Sequence, residues 1–184
     1  MLGIPVGLVA SNITEWAVHK YVLHGLGKKK TNWWAFHWHD HHGSARRHGN
    51  ADDDYLKPFY AAKPRLKEAA ALVGLAAVHL PLLPIAPFYT GTVLWRIVHY
   101  YRVHKKSHVD IAWAREHLPW HFDHHMGPDQ DQNWCVTHPW FDEVMGTRVP
   151  YAGTEREAED AVKREKLKAR RAEAAEATVT AKSA

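Results

Sequence analysis

The sequence predicts an all-α protein: an integral-membrane helical bundle with a histidine-rich dimetal centre on its cytoplasmic face. Three observations carry that reading, namely a long uncharged run interrupted by prolines, an apolar N-terminal segment, and 16 histidines gathered at helical spacings. At 184 residues the chain has room for one main domain. Its net charge of +4 is too small and too dispersed to argue for a nucleic-acid partner. A single cysteine, Cys135, excludes an internal disulfide, a cysteine-based zinc finger and an iron–sulfur site.

The first element is the apolar segment from Met1 to about Leu23, which carries no charge before Glu15. No Lys or Arg precedes it, which argues against a cleaved signal peptide. The uncharged run from Ala69 to Trp95 lies between Glu68 and Arg96 and exceeds the roughly 20 residues of a spanning helix. Pro81, Pro84, Pro87 and Gly91 would break such a helix in its second half. The run therefore reads as two short apolar helices, about Lys67–Leu80 and Phe88–Val103, joined by a proline-rich turn. Such a hairpin enters a bilayer and returns to the same side. Trp16, Tyr21, Trp33, Trp34, Tyr89, Trp95, Tyr100 and Tyr101 flank the apolar runs as an interfacial aromatic belt does.

Basic residues border these segments at Lys28–Lys30, Arg46, Arg47, Lys63, Arg65, Arg102, Lys105 and Lys106, which places those loops in the cytoplasm. The competing reading is a bundle of buried helices surrounded by water, which a mean hydropathy of -0.45 favours. Residues 1–152 form the body. From Gly153 to Ala184 the chain is rich in Ala, Glu, Lys and Arg and lacks aromatics, so residues 153–184 read as a solvated helical or disordered tail.

Four histidine groups stand out: His19 and His24; His37, His39, His41 and His42; His99, His104 and His108; and His121, His124 and His125. At about 100° per residue, positions three and four apart share a helix face. His121, His124 and His125 can thus address one site, and His104 and His108 share a face. His37 and His41 also do so, with His42 pointing off. His19 and His24 are five apart and diverge on an ideal helix, unless the helix unwinds near Gly25 or the two serve different ions.

Imidazole suits Fe, Zn, Cu and Ni. The four groups exceed one tetrahedral zinc site, which closes with about four ligands, so the count suggests two ions. Glu15 lies one turn before His19, and Asp40, Asp123 and Asp142 lie beside or shortly after the groups, where carboxylates orient ligating imidazoles. His79, alone in an apolar run, reads as a packed histidine, and His48 and His117 as surface residues. No phosphate-binding loop and no G-x-S-x-G appears, and Cys135 reads as a small buried residue.

Several stretches fit one known pattern: TEWAVHKYVLHG with an H-x4-H, HYYRVH with a second, LPWHFDHH with H-x2-H-H, and NWCVTHPWFDEVMGT as a closing segment. Together, over about Thr14 to Thr147, they resemble the fatty acid hydroxylase superfamily. These are integral-membrane di-iron enzymes that include sterol desaturases and carotenoid hydroxylases. The resemblance implies metal ligation by His19, His24, His41, His42, His99, His104, His121, His124 and His125. Trp38 stands where the second box would have its first histidine, leaving His37 and His39 as alternatives. Asn133 matches the Asn of the family's closing segment.

The resemblance further implies two Fe ions, O2 as co-substrate, oxidation of a lipid C–H bond, and electrons from a separate reductase. VHKYVLHG is similar to bacterial carotenoid hydroxylases, whereas the closing segment favours the fatty acid hydroxylase and sterol desaturase branch. Carotenoid hydroxylation or lipid desaturation on the same fold is the nearest alternative. A non-catalytic, histidine-rich metal-binding membrane protein is the alternative from another class. Zn would also be accepted by the imidazoles in purified protein.

Overall fold

Prolines and glycines set the borders of the helices and the distances between them. The computed structural model describes residues 2–183, as backbone alone beyond residue 174. Every regular element among them is helical. Helix α1 (Gly3–Ala17) runs without a break into a widened, π-type segment, Val18–Leu26. After a series of turns a second π-type segment, Phe36–His42, leads into the short α2 (Gly43–Arg47). Helix α3 (Lys63–His79) and helix α4 (Pro87–Val109) follow, with a 3-10 turn at Leu80–Leu82 between them. Helices α5 (Ile111–His117), α6 (Pro119–Met126) and α7 (Trp140–Val144) complete the body.

Pro64, Pro87 and Pro119 sit in the first turns of α3, α4 and α6, where a missing amide hydrogen costs nothing. The hairpin expected from the uncharged run is present, with both helices extended at their polar ends.

The chain forms two compact units, Met1–Pro150 and Tyr151–Ala184. The second unit consists mainly of α8 (Glu155–Ser183), whose exposed side chains pair along the helix, as in Arg156–Asp160 and Lys163–Glu159.

In the first unit, α1 packs along α4 at close range. A Cβ added to Gly3 would lie 2.7 Å from the amide nitrogen of Tyr89, and one added to Gly7 would lie 2.9 Å from Thr92 Cβ. This small-x-x-x-small spacing lets two backbones approach. The outward faces of α1, α3 and α4 carry exposed apolar side chains, among them Val6, Val73, Val78 and Phe88. Among the described residues, no helix is long and apolar enough to cross a membrane. The all-helical expectation holds, while spanning the bilayer finds no support in the helices themselves.

The interior is polar to an unusual degree. The largest fully buried side chains are Arg65 and a set of histidines, and the apolar cluster beside them is small: Trp16, Trp134 and Cys135, with Ala17 and Phe141. Imidazoles occupy the place of a hydrophobic core.

Candidate metal centre

The two π-type segments explain how histidines five apart come together. In a π-type turn the backbone bonds to the fifth residue, as the amide of Gly27 does to the carbonyl of Val22. His19 and His24 then share a face, with ring centroids 5.1 Å apart, and so do His37 and His42 at 4.8 Å. His37 therefore pairs with His42 rather than with His41, against the ideal-helix expectation. Helix α4 keeps α-helical geometry, and the same five-residue spacing fails there. His104 turns inward with His108, four residues on, whereas His99 stacks on Trp95 at 5.1 Å, outside the centre.

The buried histidines form two groups. One comprises His19, His24, His37, His42 and His124, and the other His41, His104, His108 and His125; within each, the ligand atoms lie within 4.8 Å of one another. His121 borders the second group, its Nε2 lying 3.0 Å from His108 Nε2. The H-x2-H-H on α6 thus serves both groups rather than one site. The neighbouring pairs His41-His42 and His124-His125 each give one ring to each group. His39 lies outside, its Nε2–H donating to the Lys28 carbonyl at 3.1 Å.

Outward hydrogen bonds set the tautomers. The Nδ1–H groups of His19 and His124 donate to the backbone carbonyls of Trp134 and Gln132, and that of His108 donates to Asn50. His42 donates to Gln130 Oε1 at 2.7 Å, His41 to Asp52 Oδ2 at 2.9 Å and His104 to Glu68 Oε1 at 2.8 Å. A carbonyl oxygen only accepts, so these Nδ1 atoms carry the proton and each Nε2 presents a lone pair inward. His42 Nε2 lies 3.1 Å from the Nε2 of both His24 and His124, and 3.2 Å from that of His37. For His42 and His124, whose protons both sit on Nδ1, two lone pairs face each other at 3.1 Å and cannot satisfy one another unless a cation joins them. In the second group, His41 Nε2, His104 Nε2 and both nitrogens of His125 are buried with no hydrogen-bond partner.

Extra protons are a poor substitute for such a cation. Burial, followed by the repulsion of neighbouring imidazoles, holds His37, His42, His104, His121 and His125 well below the ordinary histidine range. Burial lowers His19 to about 4 and His108 to about 3. Neutral, inward-facing imidazoles are a donor set that fits Fe, Zn, Cu or Ni. The buried clusters are suited to hold metal.

The other expected residues act at one remove. Glu15 accepts from the amides of Val136 and Thr137, and from Thr137 Oγ1 at 2.7 Å, so it secures the closing segment rather than an imidazole. Asn133 takes a positive φ of 58° and accepts from Val149 N and Arg148 Nη1. That turn sets the carbonyls of Gln132 and Trp134 against His124 and His19. Asp123, buried on α6, pairs with Arg148 at 2.8 Å. Asp142 binds the amides of Trp134 and Cys135, and Asp40 is exposed. The Cys135 thiol is buried, and burial first and then Glu15 and Asp142 push its pKa up, which removes it as a nucleophile.

Sequence reasoning missed Asp52 and Glu68, the two buried carboxylates on imidazoles. Glu68 left one signal, as the last acid before the uncharged run.

A cavity of about 330 Å³ lies between α1, α3 and α4. Its walls are largely apolar, with Val18, Val22, Leu72, Leu75, Val93 and Ile97 among them. His19 and His37 of the first group and His41 and His104 of the second also line it. His79 lines it too, its Nδ1–H bonded to the Leu75 carbonyl at 2.8 Å. A scan against family models and searches of curated proteins and of solved structures found no match to this chain.

Proposed function

We propose that the chain is a non-haem di-iron oxidoreductase that uses O2 to oxidise a C–H bond of a lipid, with its apolar end seated in a membrane. The cavity carries this reading: it is lined largely by aliphatic side chains and reaches histidines of both groups. An apolar pocket with a few convergent polar groups suits a ligand of the same character.

The residues divide the work by position. His19, His24, His37, His42 and His124 would hold one ion, and His41, His104, His108 and His125, with His121 beside them, the other. An iron pair held there supplies the redox chemistry of O2-dependent C–H oxidation. Val18, Val22, Leu72, Leu75, Val93 and Ile97 bind and align an apolar chain and keep water from the inner end of the cavity. The Nδ1–H bonds to Trp134, Gln132, Asn50, Asp52 and Glu68 hold the rings in orientation. The exposed apolar residues of α1, α3 and α4 support contact with lipid. The reading calls for electrons from a reductase or carrier, since the one cysteine of these residues cannot hold an iron–sulfur cluster.

The test uses detergent-purified protein reconstituted with Fe(II), a chemical reductant and a membrane lipid extract. The expected result is two metals per chain and reductant-dependent O2 uptake with an oxidised lipid detected by mass spectrometry; His125→Ala should lose about one metal per chain together with the uptake and the product. A product that gains one oxygen identifies hydroxylation; one that loses two hydrogens identifies desaturation. Two bound metals without any oxidised product would overturn the oxygenase reading in favour of a metal-binding protein.

A further inference from the structure

The two histidine groups differ in what stands behind their imidazoles. Behind the second group are two buried carboxylates. His41 donates to Asp52 at 2.9 Å, and the two side chains are 5% and 7% exposed. His104 donates to Glu68 at 2.8 Å, with exposures of 2% and 10%. Glu68 is further fixed by the Tyr55 hydroxyl, which donates to Oε2 at 3.0 Å, and by Arg65 Nε at 3.4 Å.

Behind the first group the acceptors are neutral: the carbonyls of Trp134 and Gln132 and the side-chain amide oxygen of Gln130. Among the described residues its one carboxylate contact is Asp131, which is 47% exposed, lies 3.2 Å from His24 and is shared with the Lys28 ammonium. Asp142 is buried near this group, but its oxygens serve Trp134 N, Cys135 N and Thr147 Oγ1 and touch no imidazole.

A buried carboxylate accepting the Nδ1–H makes the opposite nitrogen a stronger donor and offsets the charge of a bound dication in a medium of low dielectric. A neutral carbonyl orients the ring but does much less of either. We infer that the two groups are unequal metal sites. The site of His41, His104, His108 and His125 binds tightly and fills first because Asp52 and Glu68 support it; the site of His19, His24, His37, His42 and His124 binds more weakly and fills second. Asp52 and Glu68 are positioning residues of the tight site. The inference rests on the metal-centre reading above, and not on the chemistry performed there.

Metal-free full-length protein titrated with Co(II) or Zn(II) against a competing chelator tests this. Two binding steps separated by at least about tenfold are expected, since an outer carboxylate is worth about 10–100-fold in affinity. His104→Ala should abolish the tight step and His24→Ala the weak one. Glu68→Gln and Asp52→Asn keep an acceptor oxygen but lose the charge. Each should weaken the tight step by about 10–100-fold and leave the weak step in place.

Gln130→Glu places a carboxylate on His42 and should strengthen the weak step, narrowing the gap. That variant removes no buried partner, so it informs even if Glu68→Gln fails to fold. A single step for both ions, or carboxylate variants that weaken both steps alike, would overturn the inference. Unequal binding without lipid oxidation would leave it standing while the oxygenase reading falls.

Discussion

At the scale of the residue, the direction of one ring decides whether a histidine is a ligand. His99 and His108 lie on the same helix within ten residues of each other, yet only His108 turns inward. His108→Ala is expected to lose about one metal per chain, because it removes a buried donor with an anchored Nδ1. His99→Ala should keep both ions, since its ring stacks on Trp95 away from the centre. Metal analysis of the two folded variants decides the matter, and a loss of metal in His99→Ala would mean that this part of α4 is unwound. The family resemblance points to His99 and His104, whereas α-helical geometry pairs His104 with His108. Both pairings were visible in the sequence, and the physical spacing proved the better guide to geometry.

At the scale of the element, much of the fold was legible. Pro81, Pro84 and Pro87 mark the hairpin because proline cannot donate to a helix, whereas Gly91 lies inside α4 and breaks nothing. The π-type segments were not legible as such. Whether a turn widens depends on what the chain must reach, and here His19 and His24 of Val18–Leu26 and His42 of Phe36–His42 present their rings to oxygens of Trp134, Asp131 and Gln130. Three of the acceptors are backbone carbonyls, of Asn50, Gln132 and Trp134, and a carbonyl has no residue signature. The packing of α1 on α4 is a simpler matter of size. Gly7→Leu would force a side chain into Thr92 and should cost about 1–3 kcal/mol, read as a lower melting temperature. An unchanged melting temperature would show that α1 can move away from α4 freely.

At the scale of the whole molecule, a core made of imidazoles cannot be held by the hydrophobic effect alone. On the metal-centre reading its stability depends on bound ions, because ligand binding to the folded form adds about 2.7 kcal/mol at a hundredfold excess over Kd. Chelated protein should therefore melt well below loaded protein. It should also be sensitive to acid, in a direction set by the lowered pKa values. His19 and His108 titrate near 4 and 3 in the fold and near 6.5 when unfolded. The unfolded chain binds more protons between those limits. The stabilisation is thus fully present above about pH 6.5 and falls as the pH drops toward 3, by up to about 1.4 kcal/mol per pH unit for each such histidine. Circular dichroism of the metal-free protein between pH 8 and 4 is expected to show cooperative loss of helix on the acid side. Helix that persists unchanged to pH 4 would mean that the imidazoles reach water.

The sharing of His41-His42 and His124-His125 between the two groups has a mechanical consequence. Successive Cα atoms are about 3.8 Å apart across a trans peptide, and that distance does not stretch. Two such links, one in each of two separate helical segments, tie the two groups of rings together. The rings of the pairs lie 5.8 and 5.2 Å apart between centroids, and side-chain rotation can adjust that spacing only so far. Beyond that reach the two groups cannot separate unless the backbone moves with them, so their spacing is bounded by covalent bonds as well as by the softer packing of helices.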